Sequence, residues 1–232
     1  MRQGGVDSSG MDMVRETARF VSSMLDASGA VFYWLDDSNT VSDPVIFGVS
    51  QTCLTDYDSD IWQSDPLLAR RLVDRNKRIG LLKEESAAVP ADARDRYRGF
   101  LSAYDIEDCM DMLFWKDGRA FAGLGVLKLR SDSPLSATTL ATAQTMQSYV
   151  EVALHSHPSV TERQTVNRLQ HQYGLTQREI DVVMLVSNGA TNADVAQLLG
   201  IGLATAKTHM INIFNKMGVE NRAAMVARVV RP

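Results

Sequence analysis

Capping and stop signals recur at short intervals through the last quarter of the chain and restrict it to a set of short helices. Thr176 precedes Glu179 by three residues, the spacing of a helix N-terminal capping box, and Gly189 follows as a stop signal. Glycines on both sides of Ile201 indicate a tight turn. The pattern predicts helices over residues 176–187, 193–199 and 203–217. Because a short turn joins the second helix to the third, these two are predicted to form a helix-turn-helix.

The third of these helices has a polar face that contains no aspartate or glutamate. Apolar residues at helical spacing predict a buried stripe of Ala206, Met210, Ile213 and Met217. The side chains predicted to face away are Thr205, Thr208, His209, Asn212, Asn215 and Lys216. Asn and Thr can hydrogen-bond to base edges, Lys207 and Lys216 can neutralise phosphates, and carboxylates are unfavourable beside DNA. The pattern favours a helix that enters the major groove over a solvated face of a small bundle.

Charge and proline placement divide the chain into two parts. Residues 1–160 carry 16 basic and 23 acidic side chains, whereas residues 161–232 carry 8 and 5. A basic tail on an acidic body is typical of nucleic-acid binding, although uneven surface charge explains the same numbers. Pro158 disfavours helix at the residue before it, so a boundary is expected there. The predicted parts are a sensor or dimerisation domain at 1–157, a linker at 158–170 that can form a connecting helix, and a DNA-binding domain at 171–232.

Six short motifs follow one another in the tail with fixed order and spacing. They are Leu175-Thr-x-Arg-Glu179, Gly189-Ala-Thr-Asn192, Val195-Ala196-x-x-Leu199, Thr205-Ala-Lys207-Thr-His209, Ile213-x-x-Lys216-Met-Gly218-Val and Asn221-Arg222. Together they resemble the LuxR-type (GerE-like) helix-turn-helix domain of bacterial transcription regulators. The resemblance implies a four-helix DNA-binding domain whose third helix enters the major groove. It also implies that a fourth helix, over about residues 221–230, pairs two copies around a two-fold axis.

The resemblance assigns roles to individual residues. It implies phosphate positions for Asn192 and Thr205, a principal DNA contact for Lys207, a groove-facing position for Thr208 and a DNA-backbone contact for Lys216. Asn212 joins them on the predicted polar face. His209 matches a common motif position, where it either contacts phosphate or packs within the domain. Glu179 matches a position that is usually structural.

The tail also departs from the family pattern. Gly202 stands where the family usually has a Ser or Thr helix cap, and Ala206 replaces a bulkier aliphatic residue. Ile180 and Met184 lie one helical turn apart where the family commonly has charged side chains. One interpretation is that these two residues form a docking patch, either for the first domain or for a partner. The alternative is that they are scattered surface hydrophobes.

The first domain mixes helices with strands that are neighbours in sequence. The predicted helices are 12–25, one beginning at Asp65-Pro66, one within 89–104, and 135–154; the predicted strands are 30–35, 44–49, 108–115 and 120–129. Asp117-Gly118 between the last two strands is a strong hairpin signal. The hairpin face with Met110, Met112 and Phe114 lines either a pocket or an ordinary core. The order predicts an α+β sensor domain, with an antiparallel sheet flanked by helices in an α/β/α sandwich.

Tyr57, Trp62 and Asp65-Pro66 lie within one short stretch of this domain. The stretch, together with the order of sandwich, linker and tail, resembles the quorum-sensing receptors that bind acyl-homoserine lactones, whose sensor domains are GAF- or PAS-like. The resemblance implies a ligand hydrogen bond at Asp65 and pocket positions for Tyr57 and Trp62. The aromatic spacing differs, and the family's further tryptophan is missing from residues 75–103. The alternatives are a different small apolar ligand, no ligand, aromatic core residues, and a helix cap at Asp65.

Several functions and sites are not expected from the sequence. The chain contains no apolar run long enough to cross a membrane and no apolar signal segment, so we expect a cytoplasmic protein. Cys53 and Cys109 are expected to be reduced, and no metal-ligand spacing occurs. Catalytic elbows and phosphate-binding glycine loops are missing as well, so neither an enzyme nor a cofactor is predicted.

The sequence therefore predicts a homodimeric transcription regulator that binds a two-fold symmetric double-stranded DNA operator. Its half-sites are expected about one helical turn apart. Further expected partners are a small apolar signal molecule and RNA polymerase. The alternatives are a ligand-independent (orphan) regulator, one controlled by protein interaction, a phosphorylation-controlled regulator, and a tail that binds only protein.

Overall fold

The computed structural model describes residues 8–36 and 38–230, and the chain divides into two compact units, Met1–Val160 and Thr161–Pro232. The helices of the first unit are α1 (Ser8–Met24), α2 (Gln51–Ser59), α3 (Ala69–Asp74), α4 (Leu82–Glu85), α5 (Ala91–Ala103) and α6 (Ala137–Ser156). Its strands are β1 (Gly29–Leu35), β2 (Val41–Phe47), β3 (Ile79–Leu81), β4 (Ile106–Lys116) and β5 (Arg119–Leu129). They are followed by α7 (Pro158–Tyr173), α8 (Gln177–Ser187), α9 (Asn192–Leu199), α10 (Leu203–Met217) and α11 (Arg222–Val230).

The strands of the first unit form one antiparallel sheet in the order β2-β1-β5-β4-β3. β4 and β5 are the predicted hairpin, and both turn residues, Asp117 and Gly118, have positive φ angles of 50° and 79°. A two-residue turn with two positive φ angles matches the right-handed twist of the strands it joins. The predicted α+β fold with an antiparallel sheet and flanking helices is confirmed.

Helices cover both faces of this sheet. On one face, α1 and α6 pack against strand residues that include Phe32, Met112 and Leu124. The hairpin residues Met110, Met112 and Phe114 are buried in this core. On the other face, residues of α2, α3 and α5 cover alternate strand positions such as Tyr33, Cys109 and Leu113. Successive side chains of a strand point to opposite faces, so the same strands contribute to both cores.

Between β2 and β4 the structure differs from the prediction. Asp65 and Pro66 do not begin a helix: a 3-10 helix, Ile61–Ser64, ends before them and α3 begins only at Ala69. The Asp65 carboxylate caps a turn instead, since its Oδ1 accepts a hydrogen bond from the Leu67 amide at 2.8 Å. The sequence analysis also missed α2 and β3, both short elements without a clear apolar period.

The second unit follows the predicted capping pattern. Thr176 and Thr191 each close a capping box at the start of α8 and α9. Gly200 and Gly218 end α9 and α10 in the left-handed conformation, with φ angles of 62° and 63°. Gly202 begins α10 without a side-chain cap, as its lack of a side chain requires.

The proposed surface patch of Ile180 and Met184 is wrong. Ile180 is 1% exposed and lies in the core of the second unit, and Met184 is partly buried against the same core. Both side chains face inward because they lie on the same side of α8 as Val183. Neither residue is therefore available as a docking site.

The segment predicted as a linker is helical. α7 runs through it from Pro158, and His157 before the proline is extended, with φ of −74° and ψ of 134°. Proline suits the first turn of a helix because its missing N–H has no partner there. Within residues 8–36 and 38–230, every helix is too short or too polar to cross a membrane.

Candidate nucleic-acid interface and internal cavity

The outer face of α10 presents most of the polar side chains that the sequence assigned to it. Exposed side chains are Thr205, Lys207, Thr208, Asn212, Asn215 and Lys216, and the predicted buried stripe of Ala206, Met210, Ile213 and Met217 is confirmed. His209 lies half-buried at the edge of this face, and Asn192, at the start of α9, is also half-buried. The result is an open helix face whose hydrogen-bonding groups carry no negative charge.

Two further apolar residues of α10, Leu203 and Ile211, are 47% and 59% exposed. Leu203 continues the spacing of the buried stripe at the first residue of the helix, whereas Ile211 is offset from the stripe. The sequence analysis did not assign Ile211 to the exposed face, although an apolar residue outside the stripe must face solvent or a partner. Apolar groups at a DNA interface can contact thymine methyl groups.

The lysines of α10 differ in their partners. Lys207 is exposed and makes no hydrogen bond or ion pair with any described residue. Lys216 instead donates to Oε2 of Glu179 at 2.7 Å and to the carbonyl of Gly174 at 3.1 Å. Lys207 is thus free to bind phosphate, whereas Lys216 links α10 to the start of α8.

Glu179 is the buried centre of this link. It is 4% exposed and accepts hydrogen bonds from the backbone amide and the hydroxyl of Thr176 at 2.8 and 2.9 Å. Burial raises the pKa of this carboxyl, but the bonds from Lys216 and Thr176 outweigh it and hold the pKa below its usual value. Glu179 therefore connects the start of α8 to α10 within the domain.

A cavity of about 120 Å³ lies in the first unit between the sheet and the helices α2 and α5. Its walls are mostly apolar and aromatic, and they include Val31, Ile46, Leu67, Phe100, Leu101 and Leu127. Polar groups in the lining are three tyrosines, Tyr33, Tyr57 and Tyr97, and three aspartates, Asp58, Asp65 and Asp111. Cys53 and Cys109 also line it as free thiols, and burial raises the pKa of Cys53 to about 11, so both remain protonated at neutral pH.

The structure brings together two of the three residues that the sequence assigned to a ligand. The Tyr57 hydroxyl donates to Oδ2 of Asp65 at 2.7 Å, and both residues line the cavity. Trp62 does not line it and is 42% exposed, so its assignment to the pocket is wrong. Trp62 lies in the 3-10 helix Ile61–Ser64. This helix buries Ser64, and the Trp62 side chain faces outward.

A second aspartate, Asp111 on β4, was missed by the sequence analysis. Its Oδ2 accepts a hydrogen bond from the Tyr33 hydroxyl at 2.6 Å, although β5 separates their strands. Gly123 of β5 pairs with Tyr33 and leaves room for the tyrosine ring to cross. The available signal was a carboxylate between Met110 and Met112 in an apolar strand, since a buried polar residue usually has a specific partner.

Asp111 is only partly satisfied. The residue is 6% exposed, and its Oδ1 has no hydrogen-bond partner in the described part of the chain. Burial raises the pKa of Asp111 to about 7, the bond from Tyr33 opposes that rise, and the neighbouring Asp65 adds to it. Within residues 8–36 and 38–230, no group of three or more His, Cys, Asp or Glu side chains is arranged to hold a metal ion.

We expect the free energy of unfolding of the Asp111→Asn variant to fall less with rising pH than that of the wild type. An Asp with a folded pKa near 7 stays protonated on folding while the unfolded chain ionises, so stability falls from about pH 4 to pH 7 and then levels off. The variant has no carboxyl at this position and does not lose stability in this way. The difference in free energy of unfolding between the variant and the wild type should shift in favour of the variant by about 2 kcal/mol between pH 5 and pH 7. Urea unfolding at several pH values measures it. Asp95→Asn, an exposed carboxylate on α5, is the control; an advantage independent of pH would contradict the assignment.

Comparisons with known proteins give the following results. Residues 173–229 match the family described as bacterial regulatory proteins, luxR family. The chain is 26% identical over 212 residues to the monoamine regulon transcriptional regulator of Klebsiella aerogenes, an alignment that covers 91% of this chain and 88% of that protein. It is 43% identical over 53 residues to the probable transcriptional regulatory protein SgaR of Hyphomicrobium methylovorum, which covers 23% of this chain and 25% of the relative.

Among solved structures, the crystal structure of Escherichia coli SdiA resembles this chain with a TM-score of 0.46 and 12% sequence identity. The superposition covers 95% of this chain and 89% of that one. Similarity at this level does not indicate a shared ligand.

Proposed function

Residues 173–229 form a DNA-binding domain of the luxR family of bacterial regulatory proteins, and from this premise we propose that the chain regulates transcription under the control of its N-terminal unit. A small molecule in the cavity is the proposed signal. The protein acts as a homodimer on a two-fold symmetric operator, in the cytoplasm, where the bacterial chromosome and RNA polymerase are its partners. The relationship to a transcriptional regulator over most of the chain supports a regulatory role.

The observation that carries the proposal is the exposed, carboxylate-free face of α10. Thr205, Thr208 and Asn212 offer hydrogen-bonding groups beside the unpaired ammonium group of Lys207. A side chain that enters the major groove must be exposed and must not repel phosphates, and this face meets both conditions. Lys216, which is paired with Glu179, is left out of the proposed contacts.

Lys207→Ala should weaken DNA binding about equally for different sequences without unfolding the domain, because Lys207 is exposed and has no hydrogen-bond or ion-pair partner among the described residues. A duplex selected from a randomised pool by the full-length protein serves as the binding site. Fluorescence anisotropy measures the affinity at a series of salt concentrations. The slope of log affinity against log salt concentration should be smaller by about one for the variant than for the wild type.

The control for this measurement is Lys83→Ala, which removes the same charge from an exposed position of α4 in the first unit. It should bind DNA like the wild type. Equal affinities for the wild type and the Lys207 variant would contradict the proposed orientation of α10 on DNA.

A stripe of small apolar residues on α11 supports the homodimer. Ala223, Val226, Ala227 and Val230 recur at helical spacing, and Val230 is 70% exposed. Their small side chains allow two such helices to approach closely around a two-fold axis. Arg228, on another side of α11, donates to the carbonyl of Met217 at 2.6 Å and anchors the helix to the end of α10.

Ala227→Glu should remove the preference for paired half-sites, since it places like charges opposite each other in a symmetric helix pair. Affinity for a duplex with two half-sites should fall at least about tenfold toward that for a single half-site, because the second binding event is no longer linked to the first. Ala141→Glu on an exposed position of α6 is the matched control. A retained preference in the Ala227 variant would exclude α11 as the pairing helix.

A further inference from the structure

The cavity of the first unit contains a buried carboxylate oxygen that the protein leaves without a partner. Both oxygens of Asp65 accept hydrogen bonds, one from Tyr57 and the other from the Leu67 amide. Oδ1 of Asp111 accepts no hydrogen bond from residues 8–36 or 38–230, although Asp111 is more than nine-tenths buried and lines the cavity. Leaving a buried charged group unsatisfied is costly, so such an oxygen is unusual in a folded protein.

The acidic side chains of the lining have no basic partner within it. Three aspartates line the cavity, Asp65 and Asp111 inside and Asp58 at the exposed edge, whereas the lining includes no lysine, arginine or histidine. Burial raises the pKa of Asp65, and the hydrogen bonds from Tyr57, the Leu67 amide and Tyr97, with Arg71 outside the lining, oppose that rise. Arg71 donates its own hydrogen bond to the carbonyl of Gln63. A positively charged ligand would supply the counter-charge that the lining lacks and favour the ionised form of these carboxyls.

Aromatic rings surround the same space. Tyr33, Tyr57, Tyr97 and Phe100 line it, and their ring faces attract cations. The tyrosine hydroxyl protons of Tyr33 and Tyr57 are already donated to the two buried aspartates. These hydroxyls therefore hold the carboxylates in place and leave Oδ1 of Asp111 for an incoming donor.

The size of the cavity limits the body of such a ligand. It measures about 120 Å³, while an engineered apolar cavity of about 150 Å³ takes up benzene. One ring or a short branched chain fits this space, and a long acyl chain does not. Gly125 forms part of the wall, and a Cβ built there meets only the Val31 carbonyl oxygen, at 3.8 Å.

We propose that the cavity binds a small primary amine with a single-ring or short apolar body, whose ammonium group donates to Oδ1 of Asp111. The apolar part of the ligand packs against the walls near Gly125 and Leu127. Binding pairs the buried carboxylate and fills the cavity at the same time. Its regulatory consequence, a change in DNA binding, rests on the proposed function, whereas the binding step itself does not.

Isothermal titration calorimetry of the full-length protein at pH 7.5 tests the proposal with three probes of similar shape: benzylamine, benzyl alcohol and benzoate. Benzylamine should bind about ten- to a hundredfold more tightly than benzyl alcohol, as expected for a charge-assisted bond to a buried carboxylate. Benzoate should bind more weakly than either. Comparable affinities for the amine and the alcohol would overturn the proposal, as would the lack of amine binding.

Two variants test whether the preference for the amine over the alcohol depends on Asp111 and on the cavity. Asp111→Asn should reduce benzylamine affinity about ten- to a hundredfold and bring it close to that of the alcohol, whereas Asp95→Asn, the same change on the surface of α5, should change neither. Gly125→Val should fill the cavity and abolish binding of all three probes. An unchanged amine preference in the Asp111 variant, or unchanged binding in the Gly125 variant, would contradict the site.

The DNA measurement described for Lys207 separates this proposal from the proposed function. If the protein bound the amine but not DNA, the assignment of the cavity would stand and the proposed regulatory function would be contradicted. DNA binding without amine binding would do the reverse.

Discussion

Replacing Gly123 with alanine should destabilise the first unit by about 3 kcal/mol, a large effect for the addition of one methyl group. A Cβ at this position would overlap the ring of Tyr33, which crosses β5 there to reach Asp111. The ring cannot move without losing its hydrogen bond to a buried carboxylate, so the costs of overpacking and of a broken bond add. Thermal unfolding should show a melting temperature lower by roughly 10 °C.

Gly125→Ala is the matched control for this prediction. Gly125 lies on the same strand and the same face, but a Cβ there would make only an ordinary van der Waals contact, at 3.8 Å from the Val31 carbonyl oxygen. Its melting temperature should stay within about 2 °C of the wild type, since alanine is tolerated in a strand when nothing is displaced. If both variants unfolded at the same temperature, the crossing of Tyr33 over Gly123 would not be the source of the effect.

Glu179→Ala should destabilise the second unit by about 3 kcal/mol. The change removes the acceptor of the capping box at Thr176 and the partner of Lys216, and it leaves a space at a position that is 4% exposed. Removing one member of a buried pair is costly because the remaining groups lose their partners. Circular dichroism of the full chain should show part of the helical signal lost at a lower temperature.

Glu179→Gln separates the charge from the capping bonds. Glutamine can still accept from Thr176, so this variant should lose less stability than alanine. Because the folded pKa of Glu179 lies below its unfolded value, its stabilisation is complete above about pH 5 and is lost as the pH falls through the folded pKa. The gap between wild type and Glu179→Gln should therefore close below about pH 4; a gap that persisted in acid would indicate that the charge is not responsible.

The parts of the fold that could be predicted have local causes. Three helices of the tail were placed by caps, glycines and apolar spacing, and those signals act within a few residues of one another. The fourth helix was placed by the resemblance to the LuxR-type domain. The hairpin was placed by Asp117 and Gly118, whose positive φ angles suit the turn. The Asp65-Pro66 prediction failed because Asp65 accepts hydrogen bonds from Tyr57, eight residues earlier, and from the Leu67 amide, and neither bond is visible in the apolar spacing of the sequence.

The two candidate sites also differ in how far they could be predicted from the sequence. The face of α10 is a property of one helix, so its exposed and buried sides followed from spacing alone. The cavity joins residues from β1, β4, α2, α5 and the loop before α3, which are far apart in the chain. Trp62 was assigned to the pocket from a resemblance whose aromatic spacing this chain does not share, and Asp111 was missed because its partner Tyr33 lies 78 residues away.

The amino-acid sequence by itself determined the helix-turn-helix, the polar face of its third helix and the antiparallel hairpin, because periodicity, capping and turn geometry are short-range effects. Only the tertiary structure decided that Lys216 belongs to Glu179 while Lys207 stays free, and that a tyrosine crosses a glycine to leave one oxygen of Asp111 open. Pairing between distant side chains depends on how the layers pack. Burial then sets the energetic cost of each group that packing leaves without a partner.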